Sequence, residues 1–248
     1  MAKLSLAYQR FTSCSGCQLM LLNCEEELTA LAERVDLHAF AMASSRPDPG
    51  GVLDVVLIEG AVSRPEEIEE LLSLRERAAM LVAVGACALT GGVNVLAGRD
   101  RSLQCARVYG PSAKSKLTFP PQPLDHFVKV DFEIPGCPPE KSEYVRVLGA
   151  LLCGGLPQLP EYAVCMECRL RENLCLLLER RQACLGPVTR AGCAARCPSV
   201  GVPCEGCRGL SAEANRGEGF RLLLELGLSE REVRARMERF TGEVHENH

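Results

Sequence analysis

Residues 52–86, VLDVVLIEGAVSRPEEIEELLSLRERAAMLVAVGA, decide the fold. The run Val52–Ile58 is apolar and too short for an ordinary globular helix, and the Glu59-Gly60 turn closes it. Helix signals come next. Ser63 is placed to cap, Pro65 suits a first turn, Glu66 and Glu67 complement the dipole, and Pro65–Arg77 keeps helical spacing. Met80–Ala86 is a second apolar run, carrying Gly85 near its end. Short strands without polar alternation, joined through a helix, belong to a parallel sheet covered on both faces. The pattern extends outward: Leu4–Tyr8, Val35–Met42 and Val128–Ile134 read as further strands, and Gln18–Arg34 and Glu140–Leu152 as helices. The fold class predicted is α/β, a five-stranded parallel sheet in a flavodoxin-like order, with ligands beyond the carboxyl ends of the strands. Residues 92–126, punctuated by Pro111, Pro120, Pro121 and Pro123, predict a loop excursion.

Leu156-Pro157-Gln158-Leu159-Pro160 marks a boundary between a flavodoxin-like domain, residues 1–157, and a small irregular domain, residues 158–248. The stretch 161–210 has little periodicity and is expected to be ordered by metal ligands. Helices return at Ala212–Leu226 and, behind a Ser229/Glu232 capping box, up to about Phe240.

Fifteen cysteines carry the chemistry. Eight lie between Cys165 and Cys207 in two groups of four: Cys165, Cys168, Cys175 and Cys184, then Cys193, Cys197, Cys204 and Cys207. Four sulfurs from one short stretch match the ligand count of a tetrahedral zinc or an iron–sulfur cluster. Cys193-x3-Cys197-Pro198 has the C-x3-C-P close of the bacterial ferredoxin run, which favours iron–sulfur. Paired structural zincs are the competing reading, although each group holds one C-x2-C knuckle rather than two.

Three strand ends run into Thr12-Ser13-Cys14-Ser15-Gly16-Cys17, Gly85-Ala86-Cys87-Ala88 and Pro135-Gly136-Cys137-Pro138-Pro139. Cys14, Cys17, Cys87 and Cys137 should therefore meet at one sheet edge. Gly16, Gly85 and Gly136 would let the backbone approach a bound group and donate N–H groups to it. Taken alone, Cys14-x2-Cys17 could be a thioredoxin-like redox pair, and Cys87 or Cys137 a small buried hydrophobe; their joint placement favours a shared cluster. Glu59 stands at the same edge, where an N-cap, an ion pair and proton transfer are all open to it. Cys24 and Cys153 are expected in the core, and Cys105 has no evident role. His38, His126, His245 and His248 lie away from the cysteine motifs and read as structural or surface residues. Glu25-Glu26-Glu27 reads as a solvated helix face.

The net charge of −4, the pI near 5.7 and the absence of Trp argue against a nucleic-acid surface. The N-terminus lacks an apolar h-region and a twin arginine, and no apolar run reaches the roughly 18 residues of a membrane span. The expectation is a soluble, cytoplasmic protein, in which so many cysteines serve metals rather than disulfides.

These segments together resemble the small subunit of NiFe hydrogenases, from Cys14 to about Gly209. The three strand-end loops are similar to the family's proximal-cluster loops. Cys184-Leu185-Gly186-Pro187-Val188-Thr189-Arg190-Ala191-Gly192-Cys193 and Pro203-Cys204-Glu205-Gly206-Cys207-Arg208-Gly209 are similar to its medial and distal cluster region. The resemblance implies that Cys14, Cys17, Cys87 and Cys137 bind a proximal cluster, Cys193, Cys197, Cys204 and Cys207 a medial one, and Cys165, Cys168, Cys175 and Cys184 a distal one. Periplasmic members place histidine where Cys165 stands and proline where Cys197 stands. With cysteine at both positions, three 4Fe–4S clusters are expected. The nearest likeness is to sulfhydrogenase delta and viologen-reducing hydrogenase small subunits.

By this resemblance dihydrogen is split at a nickel–iron centre in a large-subunit partner, and no catalytic residue lies in this chain. Its task would be to relay electrons to a flavin or iron–sulfur acceptor subunit, diaphorase-like or heterodisulfide-reductase-like. The alternatives are an iron–sulfur subunit of a complex I-like quinone reductase or other oxidoreductase without nickel, and a zinc-stabilised adaptor.

Overall fold

The computed structural model describes residues 3–97, 101–111 and 118–241. His245 and His248 lie outside them. Strands β1 (Leu4–Arg10), β2 (Val35–Phe40), β3 (Leu53–Glu59), β4 (Ala78–Val84) and β5 (Phe132–Ile134) form one sheet in the order β2-β1-β3-β4-β5. Every pairing is parallel. This is the doubly wound order expected, and its switch point lies between β1 and β3. Helices of the sheet unit are α1 (Gly16–Leu22), α2 (Glu25–Arg34), α3 (Pro65–Arg77), α4 (Gly85–Thr90), α5 (Arg101–Tyr109) and α6 (Lys141–Leu152).

β3 and β4 are central, so nearly all their side chains are buried. Leu53, Val56, Ile58 and Leu81 join Leu71 of α3 and Leu124 in one apolar cluster. Each such side chain contributes about 1.5–3 kcal/mol through removal from water. Elsewhere in the unit, the hydroxyls of buried Tyr8 and Tyr144 lie 2.8 Å apart.

Several sequence expectations change. The predicted helix Gln18–Arg34 splits at Asn23-Cys24: the Asn23 N–H closes α1 on the Leu19 carbonyl, and buried Cys24 stands at the N-cap of α2. Glu25, Glu26 and Glu27, all exposed, then occupy the positive end of the new helix. Ser63 does not cap α3. Arg64 holds that place, and the Glu67 carboxylate accepts from the backbone N–H groups of Ser63 and Arg64 at 2.8 and 3.2 Å. The Ser63 hydroxyl instead pairs with that of Thr12 at 2.7 Å. Residues 92–126 contain a 3-10 segment, Gly92–Ala97, and α5, not only loop. Cys153 is exposed beyond the end of α6, which corrects its expected burial.

The chain divides into two compact units, the first running through Leu156 and the second comprising Pro157–Thr241. The second has no sheet of its own among the described residues, only isolated bridges at Ala163–Arg190 and Thr189–Leu210. Its helices are α7 (Val164–Leu170), α8 (Arg196–Ser199), α9 (Arg216–Glu225) and α10 (Glu230–Glu238). α9 starts four residues later than predicted, where the Asn215 side chain accepts the Glu218 N–H at 3.0 Å. The Ser229/Glu232 capping box of α10 is present as predicted. Leu185, Val188, Leu223 and Val233 form a small apolar cluster, and Val164, Ala195 and Cys204 another.

Candidate metal centres

The sheet edge gathers four thiols from four separate elements. Cys14 follows β1, Cys17 sits in the first turn of α1, Cys87 in the first turn of α4, and Cys137 follows β5. Charge on these sulfurs is felt from one to another. Burial pushes the Cys17 thiol well up, and Glu59, Cys87, Cys137 and Cys14 push it further. Cys87 is raised to about 12 by burial, with Cys137 and Cys14 adding to it. Cys137 is raised by burial and then by Cys14. The Ala86 N–H donates to the Gly136 carbonyl at 2.9 Å, tying the Cys87 and Cys137 loops together.

Two features give this edge its precision. Gly85 has φ +81°, and a Cβ there would lie 2.4 Å from the Cys17 sulfur. Only glycine serves at that contact. Glu59, at the end of β3 and fully buried, accepts from the Ser13 hydroxyl and from the Gln18 N–H, both at 2.9 Å. Ser15, the N-cap of α1, makes no side-chain capping bond. The Glu59 carboxylate caps that helix from across the sheet edge, so of the roles left open by sequence the cap is the one seen. The Asn94 amide reaches the Cys87 sulfur at 3.4 Å and the Thr12 carbonyl at 3.1 Å. The Tyr144 hydroxyl donates to the Cys17 carbonyl at 3.0 Å.

In the second unit, Cys165, Cys168, Cys175 and Cys184 line one cavity of about 150 Å³, with Leu176 and Gly186 among its walls. Cys165 is raised to about 11 by burial, then by Cys184, Cys168 and Cys175. A single zinc would require its sulfurs about 2.3 Å from one point. These four instead ring a space, which suits a group of several atoms. Among the described residues no three His, Cys, Asp or Glu side chains close on one ion.

Of the remaining four, Cys204 is raised to about 12, chiefly by burial, and Cys184 and Cys207 raise it further. Cys193 packs against the cluster that contains Cys204. Cys197 is exposed on α8, whose Arg196 N–H donates to the Cys193 carbonyl at 3.2 Å. The two groups adjoin, since the Cys204 N–H donates to the Cys184 sulfur at 3.3 Å.

Several supporting residues escaped the sequence reading. Glu167, inside Cys165-Met166-Glu167-Cys168, accepts from the Gly192 and Ala195 N–H groups at 2.9 and 3.1 Å. It thereby holds the turn around Cys193, where Ala194 and Ala195 both have positive φ. The Asn173 amide approaches the Cys168 sulfur at 3.6 Å. Buried Arg208 donates to the Ala191 carbonyl at 2.8 Å. Position within the C-x2-C knuckle is the one signal that could have flagged Glu167. Asn94 and Asn173 carry none.

Residues 14–151 match the family described as NADH ubiquinone oxidoreductase, 20 kDa subunit. The sulfhydrogenase 2 subunit delta of Pyrococcus furiosus is 38% identical over 96% of this chain and 99% of its own. The chain belongs to the NiFe hydrogenase small-subunit family. A second relative of this small subunit, a vhu subunit of the F420-non-reducing hydrogenase of Methanocaldococcus jannaschii, is 34% identical over 79% of the chain and 78% of its own. Among solved structures, a chain of an NAD+-reducing NiFe hydrogenase superposes with TM-score 0.55 and 30% identity, covering 64% of this chain and 96% of that one. The 20 kDa-subunit match ends at residue 151, whereas the Pyrococcus relative covers nearly the whole chain. The hydrogenase small subunit is an electron-transferring component of an oxidoreductase complex. No helix of the described residues is long and apolar enough to cross a membrane.

Proposed function

We propose that this small subunit carries three 4Fe–4S clusters and relays electrons between a nickel–iron site in a large-subunit partner and an acceptor module, in a soluble cytoplasmic complex. Cys14, Cys17, Cys87 and Cys137 would hold the proximal cluster. Cys193, Cys197, Cys204 and Cys207 would hold the medial one, and Cys165, Cys168, Cys175 and Cys184 the distal one. The observation that carries the reading is the lining of one cavity by Cys165, Cys168, Cys175 and Cys184, together with a separate gathering of four thiols at the sheet edge. When bound, such clusters supply one-electron chemistry at potentials set by burial, charge and hydrogen bonds to sulfur. The chain's own part is to position thiolates, exclude water and aim donors such as Asn94 and Asn173 at the sulfurs. The acceptor is proposed to be a flavin or iron–sulfur subunit, in keeping with a relative named for NAD reduction: the NAD-reducing hydrogenase delta subunit of Cupriavidus necator is 33% identical over 64% of this chain.

The test is the metal content of the complex isolated anaerobically through a tag on this chain. About twelve irons per chain, as three cubane clusters require, together with about one nickel in a co-purifying subunit, is the expected result. Iron without nickel would move the relay to another oxidoreductase. Zinc in place of iron would end the electron-transfer reading.

A further inference from the structure

Glu205 stands between Cys204 and Cys207, and the last helix grips it. Arg236 Nη1 donates to one carboxylate oxygen at 3.0 Å and Arg239 Nη1 to the other at 2.6 Å. Arg236 lies in the last turn of α10 and Arg239 is its C-cap, so the two share a face of that helix. The helix itself is fixed. Its N-terminus carries the Ser229/Glu232 capping box, and Val233 is buried against the cluster containing Leu185, Val188 and Leu223. Leu185 follows Cys184 directly, and its N–H donates to the Cys204 carbonyl at 2.9 Å. The α9–α10 pair therefore holds the Cys184–Val188 segment through apolar contact and the Cys204–Cys207 turn through charge. All three charged side chains are about a third or more exposed, so the pairs contribute little to stability. Two cations converging on the carboxylate between two thiol ligands have a plainer use in local charge.

We propose that Glu205, Arg236 and Arg239 form a positioning and charge-balancing device for the cluster held through Cys204 and Cys207. The inference rests on the assignment of a cluster to those cysteines. A reduced cluster carries one more negative charge than an oxidised one, so nearby net charge sets which form is favoured. Glu205→Gln leaves two uncompensated guanidinium groups and should raise the midpoint potential. Arg236→Gln with Arg239→Gln leaves the carboxylate uncompensated and should lower it. The three side chains total +1 in the native protein, +2 in Glu205→Gln, −1 in the double arginine variant and 0 in the triple variant, which should therefore titrate between the native protein and the double arginine variant. A residue that only held the turn in shape would move the first two variants the same way.

The experiment is a redox titration of the intact complex followed by electron paramagnetic resonance, with iron content and thermal melting measured on each variant. The expected result is native iron content and opposite shifts of one cluster signal in the first two variants, with the other signals unmoved. Shifts of the same sign, no shift at full iron content, or loss of the same signal in both variants would overturn the proposal. Arg236→Lys with Arg239→Lys keeps both charges and should titrate as native, which separates a charge effect from a folding defect. If the native complex itself lacks iron at these cysteines, the cluster assignment fails, a result distinct from unshifted potentials in an iron-replete protein.

Discussion

Replacing Gly85 by alanine isolates the tightest contact of the sheet-edge site. The new Cβ would stand 2.4 Å from the Cys17 sulfur in a backbone at φ +81°. Ordinary contact begins near 3.4 Å, so about 1 Å of displacement must be found, and the Gly136 carbonyl oxygen is already at 3.4 Å. The left-handed backbone costs about 1–2 kcal/mol for an L-residue, and overpacking adds about 1–3 kcal/mol. The sum, about 2–5 kcal/mol, corresponds to a fall in melting temperature of about 5–15 °C at this chain length. Relief is easiest by moving Cys17, and metal–ligand distances tolerate only about 0.2 Å. One cluster of about four irons should therefore be lost, while the signals assigned to Cys165–Cys207 persist. Gly154→Ala is the matched control, with φ +76° and nothing within 4 Å of the added Cβ. It carries the backbone cost alone. Calorimetry and iron analysis on both variants decide the matter. A Gly85→Ala protein with full iron, melting together with Gly154→Ala, would refute the argument from contact.

Glu59→Ala removes the acceptor of two bonds to a buried carboxylate, and should cost about 3 kcal/mol or more, read as a lower denaturant midpoint at unchanged slope. Tyr144→Phe deletes the oxygen that bonds both the Cys17 carbonyl and the hydroxyl of buried Tyr8; it should cost about 2–3 kcal/mol and, on the proposed assignment, shift the potential of the sheet-edge cluster alone. Burial tends to raise the Asp131 carboxyl, but the Leu81 N–H and the Arg75 guanidinium outweigh it and hold it below its ordinary value. Stability from such a depressed group is present above its unfolded pKa and is lost as pH falls through the folded one. Arg75→Ala should therefore lower stability by about 1 kcal/mol at pH 7, and the gap from the native protein should narrow below about pH 4, as urea titrations at both values would show. On the proposed assignment, iron removal with an anaerobic chelator should open Pro157–Thr241 to proteolysis before the sheet unit, because its apolar clusters are small and its ligands would supply much of its order. Equal cleavage rates in the two units would contradict this.

The sheet was legible because buried parallel strands announce themselves as unbroken apolar runs. Pro65–Arg77 could be bounded to the residue, since proline, acidic first turn and basic last turn all agree. Strand ends fix where loops emerge, so the meeting of Cys14, Cys17, Cys87 and Cys137 followed from topology. What escaped was contact across sequence. Helical spacing runs on through Asn23-Cys24, and the break shows in the backbone, where Cys24 leaves the helical range at ψ +52°. Ser63 has the composition of a cap, but Thr12 claims its hydroxyl and Glu67 takes over the amides. Pro111, Pro120, Pro121 and Pro123, all beyond its C-terminal end, concealed α5. The capping of α1 by Glu59, 41 residues beyond the amide it serves, has no local trace at all.

The two kinds of cysteine site differ in when they can come into being. Cys14 and Cys137 are 123 residues apart (137 − 14), whereas Cys165–Cys184 and Cys193–Cys207 span 19 and 14 (184 − 165, 207 − 193). Closing a short loop is fast and entropically light, while bringing distant segments together requires the intervening chain to be folded. During synthesis the sheet-edge site cannot exist until β5 has paired with β4 and delivered Cys137. If that site holds a cluster as proposed, it would be a checkpoint on completed folding of the first unit, open to iron only on a finished scaffold. On the proposed assignment the later cysteines would be short-range chelates, and metal capture there would help to drive folding of their segment instead of waiting for it.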